Sequence, residues 1–198
     1  MKVEQLTRSY RDALWLSQEE IDLLGTWADE GAPEGIPTEE HHEPPSLASL
    51  EEPTTTVSMT SDYIPSGSDD FEGDDYRCFV VDPEITTTKY LTGFEVVLGN
   101  ISIVHHVLLY RMTTVAGDTL AAQKAAAETG EGYTCFGGPG LPEEDYELVG
   151  GWAPGTGAVV FPDNSGIQIE PNHQMVMQLH YNFGDDNQSD KTALKLKL

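Results

Sequence analysis

The second half of the chain is a run of short segments rich in valine, isoleucine, tyrosine, phenylalanine and threonine, separated by glycine, proline, aspartate and asparagine. Such segments are typical of β-strands, and several of them alternate with a period of two. Eight strands are predicted, over residues 77–82, 89–98, 101–112, 147–152, 157–161, 166–169, 174–182 and 192–198. Their number and spacing predict an all-β fold, an antiparallel β-sandwich of jelly-roll type.

Two helices are predicted beside the strands. The first, within residues 10–30, contains a capping box in which Ser17 is the N-cap and Glu20 follows three residues later. Gly31 and Pro33 favour its end. The second covers the alanine-rich residues 118–128, with Asp118 as the expected N-cap, and predicts a surface insertion between two strands.

Composition divides the chain into three parts. Residues 38–70 are acidic and rich in proline, serine and threonine, which predicts a largely extended linker with one edge strand at 54–59. We therefore expect a helical segment over 1–37, the linker over 38–70, and the β-sandwich domain over 71–198.

The net charge of −24 is concentrated at the N-terminal end, where residues 1–75 hold 19 acidic and 3 basic side chains. So acidic a surface repels phosphate backbones and anionic lipids, which argues against nucleic acid as a partner. No segment has the roughly 18 apolar residues that cross a bilayer, and no membrane insertion is expected. The first residues show no signal-peptide pattern.

Three histidines lie in apolar predicted strands. His105 and His106 are adjacent in one strand, and His180 lies in another. Imidazoles on sheet strands are a common ligand set for copper or zinc. Side chains of neighbouring residues on a flat strand point to opposite faces, so the pair can share a metal only if the strand twists or bulges. The alternative is one buried and one exposed histidine, neither binding metal.

The remaining histidines fit simpler interpretations. His173 lies in a predicted turn, and His41 and His42 lie in the acidic linker, where solvated side chains are expected. The two cysteines, Cys78 and Cys135, could form a disulfide, remain free thiols or bind a metal.

Four stretches of the chain resemble, in order, the N-terminal domain of the ascorbate-dependent type II copper monooxygenases, relatives of peptidylglycine hydroxylating and dopamine β-monooxygenases. They are residues 76–79 (YRCF), 104–110 (VHHVLLY), 151–155 (GWAPG) with 161–162 (FP), and 178–181 (QLHY). Val107 departs from the methionine usual in the family, and further family disulfides are missing.

The resemblance implies one copper ion on His105, His106 and His180, which stores and delivers electrons, with ascorbate or a cytochrome as reductant. It also implies a Cys78–Cys135 disulfide, and hence an oxidising location, periplasmic or extracellular. Oxygen and substrate would react at a second copper, held by two histidines and a methionine in a C-terminal domain. That domain is the expected partner, so the chain is expected to be a fragment that does not hydroxylate alone.

Residues 10–37 resemble the tail of a c-type cytochrome-like domain, without the CxxCH motif that attaches haem. Two other functions remain open at this point. One is a non-catalytic β-sandwich binding module with structural histidines, and the other is a stand-alone copper electron-transfer protein. Stoichiometric copper uptake separates the first alternative from the monooxygenase domain.

Overall fold

The computed structural model describes residues 16–36, 46–67, 73–184 and 187–198. Within these ranges the chain forms two α-helices and eleven strands, and it divides into two compact units, Met1–Pro44 and Pro45–Leu198. In chain order the elements are α1 (Gln18–Asp29), β1 (Thr55–Ser58), β2 (Asp74–Val81), β3 (Lys89–Leu91), β4 (Gly93–Val97), β5 (Val104–Met112), α2 (Val115–Ala127), β6 (Tyr133–Thr134), β7 (Tyr146–Trp152), β8 (Val159–Val160), β9 (Ile167–Ile169), β10 (Met175–Asn182) and β11 (Ala193–Lys197).

Helix α1 belongs to the first unit and begins at the predicted capping box. The Glu20 N–H donates to Ser17 Oγ, and the Ser17 N–H donates to the Glu20 carboxylate. The helix ends before Gly31, whose φ of +87° suits glycine. Neither described helix has the length and apolarity that crossing a bilayer requires.

The second unit is built on two antiparallel sheets. One sheet has the strand order β1-β11-β4-β8, and the other has the order β6-β2-β10-β5-β7. Strands β3 and β9 form a separate pair. The prediction of an all-β antiparallel sandwich with a short helix and a helical insertion is confirmed.

The main core is made by the facing surfaces of the two sheets. The four-stranded sheet contributes Phe94, Leu194 and Leu196, and the five-stranded sheet contributes alternate residues of its central strands, including Val107, Leu109, Met175, Met177, Leu179 and Tyr181. Because a strand turns successive side chains to opposite faces, the intervening residues of β5 and β10 lie on the outer face of the five-stranded sheet. The three histidines are found at one end of that face.

Helix α2 covers the other end of the outer face. Its fully buried Ala121 packs with Cys78, Tyr110, Met112 and Val176 of the sheet and with Tyr133 and Cys135 of the following segment. Asp118 was wrong as the N-cap: the N-cap is Thr114, four residues earlier, whose hydroxyl accepts the Gly117 N–H. Asp118 instead binds the turn before β10, accepting the Gln174 N–H.

Several strand limits differ from the prediction. The segment 89–98 is broken into β3 and β4, which belong to different sheets, and the two-residue strand β6 was not predicted. Within the predicted linker, Thr55–Ser58 forms the edge strand expected there, paired with β11. The predicted three-part division of the chain stays a prediction.

Candidate metal centre

His106 and His180 are direct cross-strand partners on β5 and β10. Residues opposite each other in an antiparallel pair project to the same face with their Cβ atoms about 5 Å apart. Both strands are interior to the five-stranded sheet, so hydrogen-bonded neighbours on each side fix their backbones. The sheet register alone therefore brings these two imidazoles together.

A bulge brings in the third imidazole. The pairing passes from His180 with His106 to Tyr181 with Val104, which leaves His105 as an extra residue without a partner on β10. An extra residue of this kind bends its strand and redirects its side chain. The two adjacent histidines consequently share one face, and the alternative of one ring inside and one outside does not hold.

The three Nδ1 atoms converge on one point. His105 Nδ1 lies 3.2 Å from His106 Nδ1 and 3.1 Å from His180 Nδ1, and the third separation is 3.2 Å. The centre of this triangle is about 1.8 Å from each nitrogen. Metal–imidazole bonds are about 2.0–2.1 Å long, so the three donors are close enough together to hold a single transition-metal ion.

Burial increases across the three rings. His105 is exposed, His106 is partly buried, and His180 is only 7% exposed. Burial, followed by the neighbouring His180 and His105, lowers the pKa of His106. A lowered pKa keeps this imidazole neutral, and the neutral ring is the form that binds a metal.

The buried ring of His180 is held on two sides. Its Nε2 lies 2.9 Å from Asp74 Oδ1, and the ring stacks on Tyr76 with centroids 4.2 Å apart and planes 8° apart. Asn182 Nδ2 donates to the same Asp74 oxygen at 2.9 Å. The hydrogen bond from Asn182, and then that with His180, lowers the pKa of Asp74, so the carboxylate is ionised at neutral pH.

Asp74 is not among the site residues predicted from the sequence. The contact comes from the pairing of β2 with β10, where Tyr76 faces His180 and Asp74 faces Asn182. The available signal was the acidic pair that begins β2, two residues before Tyr76. Using it would have required the strand register.

An apolar wall lies beside the exposed side of the histidines. It consists of Leu108 together with the segment 151–156, including Trp152, Ala153, Pro154 and Thr156. Gly151 lets this segment approach closely, since a Cβ there would lie 2.5 Å from the Val107 carbonyl oxygen. Part of the predicted GWAPG motif therefore borders the centre.

The other predicted site residues take the following places. Cys78 and Cys135 form the expected disulfide, with Cα atoms 5.9 Å apart. His173 lies in its turn, with Nδ1 beside the Asp118 carboxylate, and is not part of the cluster. His41 and His42 lie outside the described residues.

Comparison with known proteins gives one result for this domain. Residues 67–188 match the family model described as copper type II ascorbate-dependent monooxygenase, N-terminal domain. A search of curated proteins found no match. The matched range includes the three converging histidines and both cysteines, and it covers more than half of the chain. The chain therefore belongs to the copper type II ascorbate-dependent monooxygenase family, as its sequence motifs indicate.

Proposed function

We propose that His105, His106 and His180 hold one copper ion and that the domain supplies electrons, one at a time, to a monooxygenase reaction. The observation that carries this proposal is the convergence of three Nδ1 atoms within 3.2 Å of one another. The donor set contains imidazoles alone, which suit copper. Membership of a copper-dependent family favours copper over zinc, which imidazoles also bind.

When bound, copper would supply a one-electron store that changes between Cu(I) and Cu(II). The chain contributes a ligand set that changes little between these states, because His106 and His180 come from interior strands of the five-stranded sheet. Neutral imidazoles add no charge that would strongly favour either state. The exposed ring of His105 leaves one side of the centre accessible to a reductant, for which we propose ascorbate or a cytochrome.

We propose that C–H hydroxylation takes place at a second copper in a C-terminal domain of the same protein. The family's second site uses a methionine sulfur, a soft donor that favours Cu(I). The methionines of the described residues are all buried in the two apolar clusters: Met59, Met112, Met175 and Met177. Met175 and Met177 face the core, opposite to His180, as their odd spacing predicts.

The Cys78–Cys135 disulfide favours an oxidising location for the domain. We propose a periplasmic or extracellular protein on this basis. The net charge of −24 over the whole chain gives no attraction to nucleic acid.

The proposal is tested with copper-loaded protein consisting of residues 1–198. Anaerobic ascorbate should reduce one Cu(II) per chain, seen as loss of the Cu(II) electron paramagnetic resonance signal, and oxygen should restore it slowly without hydroxylated product. The His180→Ala protein should give no comparable signal. Failure to reduce the bound copper would remove the electron-supply role, and stoichiometric hydroxylation by this chain would replace it with a self-contained oxygenase.

A further inference from the structure

The three imidazoles of the centre differ in what holds their outer nitrogen. His180 Nε2 is hydrogen-bonded to the Asp74 carboxylate at 2.9 Å. For His105 and His106, the hydrogen bonds found among the described residues involve Nδ1 alone. One of three otherwise similar ligands is therefore in contact with a negative charge.

This contact selects one tautomer of His180. A neutral imidazole carries one proton, and a carboxylate can only accept a hydrogen bond. The proton must lie on Nε2 to be donated to Asp74, which leaves the lone pair on Nδ1. His180 Nδ1 is the atom that points at the other two rings. Asp74 thus favours the tautomer that a metal at the centre needs.

Asp74 is itself held in place by the sheet. It begins β2, directly opposite Asn182 on β10, and the Asn182 side-chain amide donates to the same oxygen that His180 contacts. Tyr76, two residues further along β2, stacks flat on the His180 ring. The ring can therefore neither flip nor tilt without breaking a hydrogen bond or the stacking contact.

We propose that Asp74 is a positioning residue that makes His180 the strongest donor of the centre and so stabilises Cu(II) relative to Cu(I). A carboxylate on the outer nitrogen raises the basicity of a ligating imidazole, and removing such a partner lowers metal affinity by about 10- to 100-fold. A more basic ligand stabilises the more highly charged ion to a greater extent. The inference rests on the proposed copper site.

The test replaces the charge and keeps the shape. In Asp74→Asn the amide oxygen can still accept from His180 Nε2, so the change isolates the carboxylate charge. We expect Cu(II) affinity to fall by about tenfold or more and Cu(I) affinity to change less. If the loss of Cu(II) affinity is ten times the loss of Cu(I) affinity, the reduction potential of the copper rises by about 59 mV. Asp163→Asn, at an exposed acid outside the histidine cluster, is the matched control for net charge.

Two further measurements keep the test decisive. Asn182→Ala removes the amide that holds Asp74 and should shift the potential in the same direction by a smaller amount. Nitrogen NMR of metal-free wild-type protein should show His180 protonated on Nε2, with a mixture of tautomers in Asp74→Ala. Because Asp74 begins its strand and its side chain is about one-third exposed, these variants are expected to fold.

The outcomes separate the two proposals. Wild-type protein that takes up no copper overturns the proposed function, and the role of Asp74 with it. Wild-type protein that binds copper, with an Asp74→Asn variant whose affinity and potential match it, overturns the role of Asp74 alone. Equal shifts of the reduction potential in Asp74→Asn and Asp163→Asn would also overturn it. They would show that the effect comes from net charge and not from the contact between Asp74 and His180.

Discussion

The outer face of the five-stranded sheet has two halves that use the same strands differently. The covered half consists of Cys78, Tyr110, Met112 and Val176, and it is buried under α2 and the segment that carries Cys135. The histidine half consists of His105, His106 and His180, and burial decreases from His180 through His106 to the exposed His105. Strands β5 and β10 run through both halves, so the difference arises from what covers them and from the bulge at His105.

Gln178 marks the boundary between the halves. It lies between Val176 and His180 on the same face of β10, and its side-chain amide donates to the Gly138 carbonyl at 2.8 Å. Gln178 is paired with Cys78 across the sheet. The covered half therefore supplies stability, whereas the histidine half is left open for a ligand. Substitutions in the covered half should change mainly stability, and substitutions in the histidine half should change mainly metal binding.

The largest effect is expected from removing the disulfide. The Cys78–Cys135 bond closes a 57-residue separation, and the loop-entropy model gives a loss of about 4 kcal/mol in the free energy of unfolding when it is absent. Chemical denaturation of Cys78→Ala/Cys135→Ala measures this loss. Copper affinity of the folded fraction should stay within a few-fold of wild type, and a selective loss of copper binding with unchanged stability would reverse the division of roles.

The bond itself can be examined first. Protein made in an oxidising compartment should yield, without reduction, a peptide pair linking Cys78 to Cys135 by mass spectrometry. Two freely alkylated thiols in the native protein would contradict both the disulfide and the proposed periplasmic or extracellular location.

The converse change is made in the histidine half. His180→Ala removes the central donor and leaves two imidazoles, so we expect at least a 100-fold loss of copper affinity, about 2.7 kcal/mol. The free energy of unfolding should fall by a smaller amount, about 1–2 kcal/mol, through loss of the hydrogen bond to Asp74 and of the stacking on Tyr76. Isothermal titration with copper measures the affinity, and chemical denaturation of the same sample measures the stability. A loss of stability larger in kcal/mol than the loss of affinity would contradict the division of roles between the two halves.

Acidification provides a graded test. Copper requires neutral imidazoles, so affinity should fall by up to tenfold per pH unit, about 1.4 kcal/mol, for each ring that must lose a proton. The pKa of His106 is lowered by burial and by its two neighbours, so this ring stays neutral to a lower pH than an ordinary histidine. The contribution of His106 to the loss should therefore appear only below the pKa of an ordinary histidine, which is about 6.5. An affinity independent of pH between 7 and 5 would contradict imidazole ligation.

The smallest effect on copper is expected from the histidines outside the centre. His173 lies in the turn before β10, and His173→Ala removes its contact with Asp118 of α2. This change should lower the free energy of unfolding by about 1 kcal/mol. Its copper affinity should equal that of wild type, and so should that of the His41→Ala/His42→Ala protein. A loss of stoichiometric copper in either variant would relocate the site.

The fold was predictable where local pattern decides it. Alternation in β10 separated Met175 and Met177 from His180, and the capping box at Ser17 located the start of α1. The start of α2 was not predictable from local pattern, because Thr114 and Asp118 are both acceptable N-caps. The tertiary contact between Asp118 and the turn at Gln174 decides between them.

The centre was predictable in its residues and not in its geometry. Family motifs singled out His105, His106 and His180, but two adjacent histidines on a strand normally diverge. Only the shift in register between β5 and β10 shows that His105 is the extra residue of a bulge. Asp74 depends in the same way on the pairing of β2 with β10, which no spacing along the chain encodes.

The most direct test of the copper centre is the metal content and ligand count of the purified protein. Wild-type chain loaded with copper and freed of excess should contain one copper per chain, and X-ray absorption should show imidazole nitrogens near 2 Å as the protein ligands. The His105→Ala/His106→Ala/His180→Ala protein, checked for folding by circular dichroism, should contain none. One copper per chain in that folded triple variant would contradict the assignment of the centre to these three histidines.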